Sequence, residues 1–198
     1  AFEAFGRWNN CVILAPLFPI GVMGDGNRNG FKYMREGEVR YDHILLAMVE
    51  EVAQHYGLRF DRFALFGYSG GGHFTHRFLM LQPHKLWAAS IGAPGSVTLL
   101  DPTRDWWVGT RNMAELFGTA PDIDAMRKVA VQMIVGAAFG PAAAGQARKF
   151  LLAPSPFGVI DRLELQVGGS RLGCRSISGR GGLGEGGRYH VKAGERPL

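Results

Sequence analysis

Apolar residues fall along the chain in short runs separated by glycine- and proline-rich breaks, and the period within each run names an element. Residues 11–17, apolar and closed by Pro16, Pro19 and Gly21, predict a buried strand running into a loop. The polar, Gly/Asn-rich stretch GDGNRNGFKYMREGE, 24–38, predicts a loop. From Tyr41 the period becomes helical: Ile44, Leu45, Met48, Val49 and Val52 share one face, Asp42 sits near the start and Gly57 is a stop. DRFALFGYS, 61–69, predicts a second buried strand, and the segment after it a helix that ends before Pro83. LWAASIGAPGS, 86–96, predicts a third strand with a glycine-rich end, 121–128 a helix, and KVAVQMIVGAA, 128–138, a fourth strand.

Strands alternating with helices imply an α/β protein with a mostly parallel sheet and flanking helices. Functional groups in such a sheet gather at the carboxyl ends of the strands, and 67–72 lie at one. The pattern changes after residue 138. Residues 136–198 hold 14 of the 29 glycines, GRGGLGEGGR has almost no large apolar side chain, and GVIDRLELQVGG alone reads as a strand. The expected organisation is a core over 1–138 and an atypical, basic, Gly/Arg-rich tail over 139–198, which is either an ordered but unusual cap or largely disordered. Out-of-frame translation of a GC-rich gene produces the same composition.

Composition narrows the classes. The 198 residues, 46% of them hydrophobic, suffice for one domain with a substantial core. The formal charge of +5 belongs to the tail: residues 136–198 carry 9 Lys and Arg against 4 Asp and Glu, while the rest is balanced. Two cysteines, Cys11 and Cys174, read as free thiols. No apolar run is long enough for a membrane span, and the start has no basic region followed by an apolar one, so a cytoplasmic location is the default expectation. No His/Asp/Glu cluster has metal-ligand spacing, and neither metal nor other cofactor is expected.

The chemistry-bearing stretch is Gly67-Tyr68-Ser69-Gly70-Gly71, a G-x-S-x-G with a predicted strand before it and a helix after it. A serine lifted on a sharp strand-to-helix turn needs strained backbone, and small neighbours let helix and strand come close enough to impose it. A phosphate cradle is the rival reading, but no Lys-Ser/Thr follows the glycines and no G-x-G-x-x-G is present.

FALFGYSGGGHFTHRFLMLQP, with the helix before it and VILAPLFP, resembles the α/β-hydrolases, in particular the dienelactone-hydrolase-like and polyester-depolymerase-like esterases, over residues 8–138. The resemblance implies ester substrates, with Ser69 as nucleophile, the Gly70 backbone N–H as an oxyanion donor, and a chain order of serine, acid, histidine. His190 is the only histidine late enough for that order; His43, His55, His73, His76 and His84 lie on or beside the two helices flanking the serine strand. The acid stays open among Asp161, the first carboxylate after the fourth strand, and Asp101 and Asp105 after the third. Trp106 and Trp107 with Phe117 form either an apolar acyl pocket or core packing.

The chain also departs from the family. The upstream strand whose loop supplies a second oxyanion donor has no counterpart, so the family's N-terminal part reads as truncated, with 15–21 as the substitute loop. Two further readings follow: a hydrolase-like protein or fragment with impaired or no catalysis, and a tail that binds single-stranded nucleic acid like an RGG segment, for which only Tyr189 offers a nearby stacking ring.

Overall fold

A strand needs a ladder partner as well as an apolar run, and among the described residues the first predicted strand has none. In the computed structural model, which describes residues 2–135 and the backbone of 163–167 and 170–174, residues 11–19 carry no regular secondary structure. Val12, Ile13 and Leu17 are exposed there, and Pro16 and Pro19 remove two of the backbone donors that a ladder would use. The chain divides into two units, one ending at Phe60 and one beginning at Asp61. Residues 11–19 belong to the first.

In that unit, helix α1 (Glu3–Asn9) ends on Asn10 in the left-handed conformation. The predicted loop contains a short helix, α2 (Gly30–Tyr33), and a two-residue hairpin pairing β1 (Arg35–Glu36) with β2 (Val39–Arg40). Helix α3 (Tyr41–Tyr56) is the predicted amphipathic helix, closed by Gly57 at φ 63°, whose N–H reaches the Ala53 and Gln54 carbonyls. Asp42 in its first turn is fully buried and takes two parallel bonds from the Arg40 guanidinium, at 2.9 and 2.8 Å.

The second unit is built on a five-stranded sheet in the order β3 (Phe63–Tyr68), β4 (Leu86–Gly92), β5 (Ala130–Val135), β6 (Leu163–Val167), β7 (Ser170–Cys174). The first four strands are parallel, and β7 returns antiparallel to β6. Strand β6 lies within the one segment beyond residue 138 that reads as a strand, and both β6 and β7 extend the sheet. The boundary expected near residue 138 falls outside the described residues. Helix α4 (Gly70–Leu81) follows β3 and packs on β3 and β4, with Phe74, Phe78, Leu79, Leu86 and Ile91 buried. Helix α5 (Met113–Phe117) and helix α6 (Ile123–Arg127) lead to β5, α6 being capped by Asp122, whose carboxylate accepts the Ala125 N–H.

Strand β3 departs from expectation in its burial. Phe63 and Gly67 face α4, but the alternate residues are open, Phe66 at 49% and Tyr68 at 62% exposure. The reason is position: among the described residues β3 pairs only with β4, so it is an edge strand, and only its α4 face is covered.

Candidate active site

The turn from β3 to α4 is built from close approaches that only glycine permits. A Cβ on Gly67 would overlap the Gly71 carbonyl and the Thr75 hydroxyl, and one on Gly72 would overlap the Gly92 carbonyl at the end of β4. A Cβ on Gly71 would meet nothing. Gly67→Ala is therefore expected to destabilise the protein by about 2–3 kcal/mol through overpacking. Gly71→Ala, in the first turn of α4, is expected to be neutral or to stabilise by up to about 1 kcal/mol. Urea titration of the pair checks both.

Ser69 stands at the apex. Its backbone lies at φ 53°, ψ −112°, a conformation that a side chain rarely adopts, and its side chain is exposed. Two backbone bonds hold it there: its N–H donates to the Gly92 carbonyl at 2.9 Å, and its carbonyl accepts the His73 N–H at 3.1 Å. The hydroxyl makes no capping bond to the helix it precedes. Gly70 opens α4, where the first-turn amides lack partners within the helix and carry its positive dipole end.

Histidines one and two turns along α4 hold the loop that follows β4. The Gly95 N–H donates to His73 Nε2 at 2.8 Å, and the Thr98 N–H donates to His76 Nε2 at 2.9 Å. His76 Nδ1 lies 3.0 Å from the Gly72 carbonyl, which assigns its proton to Nδ1. Burial drives the His76 pKa well below its ordinary value of 6.5, and the Arg77 charge adds to the effect. Arg77, itself buried, donates from Nε to Thr98 Oγ1 at 2.9 Å and stacks its guanidinium 5.2 Å from the Trp107 ring centroid. Thr98 Oγ1 in turn donates to the Trp107 carbonyl at 2.6 Å. Sequence reasoning set these histidines aside as bases for Ser69. It had no signal for their accepting backbone bonds, because the donors lie on a loop more than one element away.

The tryptophans are half-buried, Trp106 edge-on to Phe117 at 4.9 Å and Trp107 over Arg77. The open acids are committed locally. Asp101 takes the Thr103 hydroxyl and N–H, which hold its carboxyl below the ordinary range, and Asp105 is held there by a two-pronged pair with Arg111. His84 lies 3.2 Å from the Asp122 carboxylate. Residues 15–21, the substitute oxyanion loop, have no helix or strand. His190 and Asp161 lie outside the described residues.

No protein-family model and no curated protein matches the chain. Solved structures do. The chain is similar to the poly(3-hydroxybutyrate) depolymerase LpqC from Bordetella parapertussis, at 20% identity and a TM-score of 0.59, over 84% of this chain and 65% of that one. It is similar to poly(aspartic acid) hydrolase-1 from Sphingomonas sp. KT-1, at 17% identity and 0.51, over 68% and 59%, and to a thermostable esterase, at 14% and 0.51, over 83% and 38%. The chain thus spans less than two thirds of the length of each. At these identities the likeness is one of fold, and that fold is of the α/β-hydrolase type. Among the described residues no helix is long and apolar enough to cross a membrane.

Proposed function

We propose that the chain is a serine hydrolase that cleaves carboxylic esters through an acyl-enzyme on Ser69. The observation that carries this reading is the exposed serine held at positive φ between a parallel strand and the first turn of a helix. In the proposed reaction Ser69 Oγ attacks the ester carbonyl carbon while a base takes its proton. The tetrahedral oxyanion is stabilised by the Gly70 N–H and the positive end of α4. The base returns the proton to the departing alcohol, and water repeats the sequence to release the acid and free Ser69. His190 is proposed as that base and Asp161 as the carboxylate on its other ring nitrogen. Asp101 and Asp105 fit the role less well, since each carboxylate already serves its own loop. Two of the structural neighbours, the depolymerase and the thermostable esterase, support an ester substrate.

A fluorophosphonate probe tests the proposal. Labelling is expected on Ser69 and on no residue of Ser69→Ala; equal labelling of wild type and variant, or none of either, would refute it.

A further inference from the structure

The first unit holds a second constellation, unrelated to the serine. Residues 25–36 read Asp-x-Asn-x-Asn-Gly followed by five residues and Glu, the spacing of a twelve-residue calcium loop, in which oxygens at the first, third, fifth and last positions converge on one cation and glycine at the sixth makes the sharp turn. A reading confined to His, Asp and Glu passes over it, because two of the donors are amides. For the same reason no trio of His, Cys, Asp or Glu gathers among the described residues.

The structure brings the ends of this stretch together. Glu36 folds back so that Oε1 accepts the Asn27 amide at 3.0 Å, and its Oε2 lies where a Cβ on Gly30 would be, so a larger residue at the sixth position would displace the carboxylate. Asp25 accepts the Asn27 N–H through Oδ1 alone, at 2.9 Å. The independent observation is the environment of Glu36. It is only 9% exposed, yet its partners are two neutral donors, the Asn27 amide and the Tyr41 hydroxyl at 2.8 Å, and no ion pair among the described residues includes it. Buried carboxylates are ordinarily neutralised by a cationic side chain or a metal. Positive charge already collects at the rim, where Lys32 Nζ sits 2.7 Å from the Asn29 side-chain oxygen.

We propose that residues 25–36 form a calcium site, with Asp25, Asn27, Asn29 and Glu36 as its side-chain donors. An all-oxygen set on an irregular loop suits calcium, which accepts flexible geometry, over magnesium, which demands a near-ideal octahedron. Two carboxylates and two amides make a weak site, with a dissociation constant on the order of 10⁻⁴–10⁻³ M.

The test uses the full chain, stripped with chelator and titrated with CaCl₂ or MgCl₂. In about 10 mM calcium the melting temperature is expected to rise by about 3 °C or more, with calorimetry giving one site and magnesium giving a much smaller rise. Asp25→Asn and Glu36→Gln are each expected to weaken calcium binding at least about tenfold while leaving the metal-free circular dichroism spectrum unchanged. Should Glu36→Gln fold poorly, Asp25→Asn at its exposed position carries the comparison. Absence of both shift and binding heat in the wild type, or a calcium response that Asp25→Asn retains in full, overturns the site. An equal response to magnesium overturns its assignment to calcium.

Discussion

Hydrolysis of a nitrophenyl acyl ester is expected to fall by about 10³-fold or more in Ser69→Ala, with the circular dichroism spectrum unchanged, because the alanine removes only an exposed hydroxyl. His190→Ala is expected to lose nearly as much. Nucleophile and base act as one unit, so removing either removes most of the unit's effect, and the double variant should be little worse than either single one. The two substitutions separate distinct failures. If Ser69→Ala keeps full activity, the proposed nucleophile is wrong. If Ser69→Ala is inactive while His190→Ala matches wild type, the nucleophile stands and the base must be sought elsewhere.

The second large effect is on stability against acid. His76 accepts a backbone N–H through Nε2 in a buried site, so the folded protein disfavours its charged form, whereas the unfolded chain protonates it near the ordinary value of 6.5. A histidine whose folded pKa is lowered leaves stability intact above the unfolded value and removes it as pH falls below 6.5. The expected loss is about 1.4 kcal/mol per pH unit below that point, continuing until the folded-state pKa is reached. His76→Gln should be less stable at neutral pH and should lack this slope. Asp101, Asp105 and Asp122 do not blur the window: they are held below 3.8 by hydrogen bonds and ion pairs, and their contribution is lost only in stronger acid. Urea unfolding at half-unit steps from neutral pH to about pH 5 reads the slope. A flat wild-type profile over that range would show that His76 does not titrate as its surroundings require.

Elements whose cause is local were legible in the sequence. Helix α3 follows from its apolar stripe and Gly57, α4 from the glycines at its start and Pro83 after it, and β4 and β5 from apolar runs bounded by glycine. The serine turn was legible for the same reason, since its glycines and its flanking elements are contiguous. The failures share the opposite property. The run at 11–17 has strand composition but no ladder partner among the described residues. The open face of β3 depends on what lies beside it, and β7 is a five-residue strand with polar and small side chains that no period marks. The histidine bonds to Gly95 and Thr98 join residues on different elements, and composition carries no trace of such joins.

The bond from the Ser69 N–H to the Gly92 carbonyl, and the contact of Gly72 with that same carbonyl, bear on when the serine acquires its geometry during folding. A strained backbone persists only when its surroundings over-determine it. Half of what determines Ser69 is the end of β4, which lies beyond the whole of α4 in the chain. The turn therefore cannot be a local nucleus: an excised peptide carrying β3 and α4 would relax out of it, and in the full chain the strained angle is reached only after loop closure has brought β4 alongside β3. The strained conformation is a late product of sheet assembly, and a chain arrested before β4 docks would carry the same five residues with an ordinary, unlifted serine.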